Sequence, residues 1–433
     1  MHPLPTLTIF VLLLLSLLRD SRQGLIFFEL LMVLACLQYW VAPSLAYFWE
    51  KVAPAQVINP MPIAANRYGT TVLPLVIALW LGTEVGHFFS PKKEIPRPKD
   101  IQQWLSRQTR LPYMLLGGGV IATLIAPITP AMLRLPVYFA QQLLLVGSLH
   151  LLFLPQKKWG HFWVLTAIGG FLLIQALKTT MLGPLVWFIL IVLLYVQWLV
   201  RWSMGRIVVL ALVGVLLTLS ILSWKYDYRE QVKTTESWTG KVEKLKVVLQ
   251  KRLQYPLEPR HWNRALCRLN QGYLTALALR YVPKQQAFVR GETIHIALLG
   301  SLVPRLLWPN KPQSGGKVNF ERFTGEHLGA GVSMNIGPLG DAYVNFGVGG
   351  GVVFMFLYGL ALRLLFQVFL AFVPVYPLLL LWLPLVFTPL LKVETDVLTV
   401  FNHAVKSTLF VICTTFILYH TSFILKNNVH PRT

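Results

Sequence analysis

Long apolar runs alternate with short polar breaks along most of this chain. A helix needs about 17–25 predominantly apolar residues to cross the hydrocarbon of a bilayer. The pattern predicts eleven such spans, near residues 4–18, 25–48, 70–90, 111–128, 135–154, 161–177, 184–200, 207–223, 342–362, 366–391 and 404–424. Between the eighth and ninth the pattern changes, and from about Lys225 to Gly340 the chain is polar and basic. The expected fold is an all-α integral membrane protein. Its expected parts are an N-terminal bundle of about eight spans (1–224), a large loop carrying amphipathic helices (225–340) and about three C-terminal spans (341–433).

Composition agrees with this class, since 55% hydrophobic residues, 13% charged residues and a mean hydropathy of +0.58 do not describe a soluble domain. Charge adds an orientation. Arg19 and Arg22 follow the first apolar run instead of preceding it, and no A-x-A site follows, so the run reads as an uncleaved first span with the N-terminus outside. With that orientation the short cytoplasmic segments carry fifteen Lys/Arg and the opposite ones five, in the sense basic residues are retained. The C-terminus then lies in the cytoplasm and the large loop outside. The loop itself has an excess of Lys and Arg, which fits anionic lipid headgroups or an anionic small group such as a lipid pyrophosphate. Nucleic acid is not expected, because the loop has no zinc-finger or RNP-type pattern.

Within the loop, Val242, Leu245, Leu249 and Leu253 recur at helical spacing between Lys241, Lys244, Lys246 and Lys251, which predicts an amphipathic helix lying on the membrane surface. A second helix is expected from Pro259 to about Tyr281. One of its faces carries His261, Arg264, Arg268, Gln271 and Thr275. Guanidiniums suit phosphate oxygens because they stay protonated and donate through a planar fork; the same face also reads as an ordinary solvated one. From Arg280 to Lys317 helical period is lost, and Arg280, Arg290, Arg305 and Lys311 would converge only if this segment folds as an ordered loop. Trp308 reads as an interfacial anchor or a platform for a sugar face.

Other features carry less. Cys36, Cys267 and Cys413 are too scattered for a disulfide framework or metal site. Gly347 and Gly351 read as close helix packing, and Gly117 to Gly119 as packing or a kink. Glu29, Glu84, His87, Arg134, His403 and Lys406 are ionisable residues in or near spans, each read as structural before catalytic, although Glu84 and His87 at i, i+3 could relay protons in a transporter.

Two runs carry a resemblance. Val303-Pro304-Arg305-Leu306-Leu307-Trp308-Pro309-Asn310-Lys311-Pro312, then Gly340-Asp341-Ala342-Tyr343-Val344-Asn345-Phe346-Gly347 with Gly350, resemble the PR-x-x-W-P-x-K-P and G-E-x-Y-x-N-F-G-x-x-G signatures of Wzy-type O-antigen or exopolysaccharide repeat-unit polymerases. Asp341 stands where Glu is usual. Arg280 and Gly291, ten residues apart, are similar in spacing to residues of the outer loops of such polymerases. The resemblance covers the loop and the ninth span; the other spans match in hydropathy and number only.

The resemblance implies a GT-C-like glycosyltransferase of the bacterial inner membrane that works without metal or cofactor. It would join undecaprenyl-pyrophosphate-linked oligosaccharide repeats at the outer face, with membrane lipids and a chain-length regulator protein as further partners. Consistent with this, the five Asp residues are isolated and no Asp-x-Asp pair exists. Arg264, Arg268, Arg280, Arg290, Arg305, Trp308, Lys311, Tyr343 and Asn345 would together bind the pyrophosphate and sugar of the substrate. A base must accept the acceptor hydroxyl's proton; His261, His295, His327, Glu321 and Asp341 are the candidates, with His261 favoured by its place beside Arg264 and Arg268. Asp341 could instead orient an arginine or hold the loop to the membrane. An O-antigen ligase and a lipid-linked sugar flippase are the competing readings.

Overall fold

The computed structural model describes residues 27–89, 98–154, 158–232, 237–255, 259–303, 307–308, 311, 316–329 and 332–421. Among them every regular element is helical. In chain order the helices are α1 (Phe27–Val52), α2 (Ala65–Phe88), α3 (Pro98–Leu105), α4 (Leu111–Ile125), α5 (Arg134–Gln141), α6 (Leu143–Leu151), α7 (Lys158–Thr179), α8 (Gly183–Val200), α9 (Met204–Val232), α10 (Trp238–Gln254), α11 (Pro259–Leu269), α12 (Gln271–Tyr281), α13 (Glu292–Leu302), α14 (Lys317–Thr324), α15 (Gly337–Ala371), α16 (Leu379–Leu391) and α17 (Val397–Thr421).

Eight helical stretches among the described residues are long and apolar enough to cross a membrane: α1, α2, Leu111–Ile128, Gly160–Thr179, α8, Gly205–Val232, α15 and Val397–Tyr419. They coincide with eight of the eleven expected spans, while the run at 4–18 lies outside the described residues. Two expected spans are shorter or divided. The run at 135–154 breaks at Gln142 into α5 and α6, and 366–391 holds the end of α15, a turn and the thirteen-residue α16.

The chain folds into two discontinuous units. The first comprises Met1–Phe89, Trp202–Arg363 and Leu390–Asn402; the second comprises Ser90–Arg201, Leu364–Pro389 and His403–Thr433. In the first, α2 and α15 cross with their backbones in contact. A Cβ on Gly82 would run into the Phe356 carbonyl and one on Gly359 into the Leu79 carbonyl, so small residues let two apolar helices approach where larger ones could not. Beside this crossing, Arg363 donates to His87 Nδ1 and its guanidinium lies 4.7 Å from the centroid of the Phe28 ring. His87 is thus held by an arginine of α15.

The second unit shows how an apolar interior handles proline. Pro384 and Pro389 lie inside α16 and lack the N–H groups that would bond the carbonyls four residues back. Those carbonyls, Leu380 and Leu385, are both taken by side chains: Tyr195 donates its hydroxyl to Leu380, and His403 Nε2 lies 2.7 Å from the Leu385 oxygen. The His403 ring also meets Phe139 edge-on, with centroids 5.5 Å apart. In α6, His150 Nε2 reaches the Leu105 carbonyl at 2.9 Å. Leaving such a group unpaired where water is scarce costs about 1–3 kcal/mol.

His403→Leu is therefore expected to lower the thermal midpoint of the detergent-solubilised protein. Replacing Pro389 by Ala supplies the missing N–H, so the same His403→Leu change should do markedly less harm in a Pro389→Ala background. Equal losses in both backgrounds, in a fluorescence-detected melt, would show that the carbonyl is not what His403 serves.

Candidate functional site

The polar interior of the first unit gathers around an interruption in α15. Gly347 has φ 68° and ψ −161°, a combination open essentially to glycine alone, so the helix that begins at Gly337 breaks there. The break leaves carbonyls without their i+4 donors. Val289 N–H bonds the Val344 carbonyl and Arg290 N–H the Asn345 carbonyl, both at 3.0 Å, so the segment before α13 is clamped to the broken helix by its backbone. Arg290 takes φ 48° and Gly291 φ 92° in making that approach. The Phe288 and Tyr343 rings meet edge-on at 5.5 Å, and the Tyr343 hydroxyl donates to the Val282 carbonyl.

Asp341, Tyr343 and Asn345 are thus brought together with Arg290, but the first three point into the protein. Asn345 is 1% exposed; its amide donates to Thr293 Oγ1 at 2.6 Å and to the Asp341 carbonyl at 2.7 Å. Asp341, 2% exposed, accepts from the Val397 N–H at 2.9 Å through Oδ2. Asp396, equally buried, caps the same helix by accepting from the Thr399 N–H at 2.6 Å. The two carboxyls interact electrostatically, and both lie at the N-terminus of α17, where peptide dipoles favour negative charge. Asp396 escaped the sequence reading, although Thr395-Asp396 before an apolar run is a capping signal.

The expected Pro259–Tyr281 helix is two helices. Asn270 ends α11 and caps α12, its side chain accepting from the Tyr273 N–H at 2.9 Å. This divides the predicted face. Gln271 and Thr275 are buried on α12, donating to the carbonyls of Asn335 and Ile336. Arg264 and Arg268 stay on α11, which packs along α9. Arg264 forms an ion pair with Asp227 of α9 and lies 4.7 Å from the centroid of the Tyr226 ring. Arg268 is exposed and, with Arg229 and Glu394, lies within electrostatic reach of Lys225.

Arg280 and Arg290 are exposed. Arg280 pairs with Glu326 at 3.0 Å. Arg290 faces solvent. Near it Arg322 holds both oxygens of Glu292 at 2.7 and 3.0 Å, which keeps the Glu292 carboxyl below the usual carboxylate range. Lys311 differs: it is 6% exposed and donates to the Val303 carbonyl at 3.1 Å, just past the end of α13. Trp308 is half-buried. Arg305 and the side chain of His261 lie outside the described residues. Burial raises the Cys267 thiol above its ordinary range, in keeping with packing. Among the described residues no group of three His, Cys, Asp or Glu is gathered that could hold a metal ion.

The region expected to lack helical period contains α13, a regular helix started by Gly291 and Glu292. The α10 stripe is also turned. Val242, Leu245, Val248 and Arg252 face inward, with Arg252 donating to Ser223 Oγ of α9 at 3.0 Å, while Leu253 is 79% exposed.

An all-helical protein of the multi-pass membrane class, with a polar cluster built around one broken helix, is what these features define. The chain belongs to the family described as "Domain of unknown function (DUF8712)", which matches residues 97–388. No curated protein and no solved structure matches it.

Asp341→Asn keeps an acceptor for the Val397 N–H and removes a charge beside Asp396, so it should melt at or near the wild-type temperature. Asp341→Ala leaves that N–H bare and should cost about 1–3 kcal/mol. Thermal melts of the two variants side by side check the capping role, and an Asn variant as damaged as the Ala one would refute it.

Proposed function

We propose that this protein polymerises undecaprenyl-pyrophosphate-linked oligosaccharide repeats at the outer face of the bacterial inner membrane. The observation that carries the reading is the clamp at Gly347. The residues of the Gly340–Gly347 signature and the Arg280–Gly291 segment, distant in sequence, meet there through backbone hydrogen bonds and leave Arg290 facing outward. The excess of Lys/Arg in the short segments opposite the loop supports an N-terminus outside, a C-terminus inside and helices α10 to α14 outside.

In the reaction the acceptor sugar hydroxyl attacks the anomeric carbon of the carrier-linked glycan. The bond to the diphosphate oxygen breaks, the diphosphate departs with the bonding pair, and the hydroxyl proton passes to a base. We assign that base to His261, on the helix that carries Arg268. Exposed guanidiniums at Arg268, Arg280 and Arg290, with Arg305, would stabilise the departing diphosphate without a metal. Asp341, Tyr343 and Asn345 serve as positioning residues, holding the broken helix and its clamp, and Arg264 does the same through Asp227.

In a deletion strain complemented with single variants, Arg280→Ala, Arg290→Ala or Arg305→Ala should collapse the ladder of surface polysaccharide to a single repeat, with the protein still in the membrane. His261→Ala should do the same. A normal ladder retained on the lipid carrier would instead identify a ligase, and an unaltered, delivered ladder would dismiss both readings.

A further inference from the structure

The two carboxyls at the start of α17 are only half used by their capping work. Asp341, from the first part of α15, accepts from the Val397 N–H at 2.9 Å through Oδ2, and Asp396 accepts from the Thr399 N–H at 2.6 Å through Oδ1. Those N–H groups belong to one helical turn and point the same way along its axis, which sets both carboxyls at the same helix end. Asp341 Oδ1 and Asp396 Oδ2 are buried and have no hydrogen-bond partner among the described residues. The helix end favours ionised carboxyls, so each of these oxygens keeps negative charge and open lone pairs.

Two neutral oxygens flank them. Asn345 lies one turn beyond Asp341 on the same face of α15, where side chains lean back toward the helix N-terminus. It is 1% exposed, and its amide nitrogen, bonded to the Asp341 carbonyl and to Thr293, fixes the group beside Asp341. Thr399 stands at the third position of α17, from which a side chain reaches back to the cap residue. Asn345 Oδ1 and Thr399 Oγ1 are both buried and likewise have no partner among the described residues. Lys392, a cation in the segment leading into α17, interacts with Glu394.

We infer that Asp341, Asp396, Asn345 and Thr399 form a binding site for a hard metal cation, and that the charge of the pair selects calcium. The unpartnered atoms of this group are all oxygens, with no nitrogen or sulfur of the kind zinc prefers. Two carboxylates balance a divalent charge, whereas sodium leaves one of them buried without compensation. Calcium takes irregular sets of oxygens. Magnesium demands a near-ideal octahedron and keeps several waters, which suits so buried a place poorly. The ion ties the first part of α15 to α17 and takes no part in the glycosyl transfer proposed above, so either reading can fail without the other.

The test uses the full chain in detergent, stripped of metal with EDTA, dialysed and melted under intrinsic fluorescence. Millimolar calcium should raise the wild-type midpoint by about 5 °C. Magnesium should do far less, and sodium chloride at the same ionic strength nothing. Equilibrium dialysis against radioactive calcium should find roughly one ion per chain. Asp341→Asn and Asp396→Asn each keep an acceptor for the capped N–H, so without calcium they should melt near wild type. Each should bind calcium at least about tenfold more weakly. Glu243→Gln, which removes an exposed acid of α10, should respond to calcium as wild type does. A wild-type midpoint that ignores calcium, equal shifts from calcium and magnesium, or undiminished binding in both Asn variants overturns the site. So does a midpoint that climbs on acidification without any calcium response, the sign of a proton shared by the two carboxyls. The wild-type measurements decide the matter even if a variant fails to fold.

Discussion

Backbone groups freed inside an apolar protein must find partners, and the architecture here follows from where they do so. With little water to bond them, unpaired carbonyls are costly, and interrupted helices survive only where other groups complete them. At Gly347 the partners are two N–H groups of a neighbouring segment. At Pro384 and Pro389 they are a tyrosine hydroxyl and a histidine nitrogen. At the start of α17 they run the other way, with free N–H groups met by Asp341 and Asp396. Each interruption therefore joins two parts of the chain that are remote in sequence. The polar residues that look most chemical within the apolar regions are largely the ones making these joins.

Much of the fold was legible because hydropathy is local. Eight spans can be read from runs of apolar residues, and the split near Gln142 and the short α16 show where a run alone misleads. Apolar character sets where a helix is comfortable, not whether it continues. Proline at 384 and 389 leaves α16 helical only because Tyr195 and His403 stand by. A cap hidden inside a periodic pattern deceives in a different manner. Asn270 turns one expected helix into two, and Gln271 and Thr275 pass from an outward face to a buried one. On α10, periodicity offers several stripes, and the choice falls to Ser223, a partner on another helix, which draws Arg252 inward.

The polar cluster was half legible. Asp341, Tyr343, Asn345 and Arg290, each singled out from the sequence, lie together, yet the first three face inward and brace the structure. Lys225, Arg229, Glu394 and Asp396 went unread because their meaning is tertiary. Nothing in the local sequence says that Glu394 lies within reach of a lysine some 170 positions earlier. Charges on separate elements come within reach of one another only once helices pack, as Arg264 and Asp227 do between α11 and α9.

The clamp at the broken helix asks only for main-chain atoms at positions 289 and 290. Folding alone would be content with whatever side chain best tolerates a left-handed backbone there, and glycine or asparagine would be the comfortable occupants. A long, branched cation sits at position 290 instead, against the conformational preference of its own residue type. The scaffold thus acts as a pedestal, held by main-chain bonds that are indifferent to the side chain it displays.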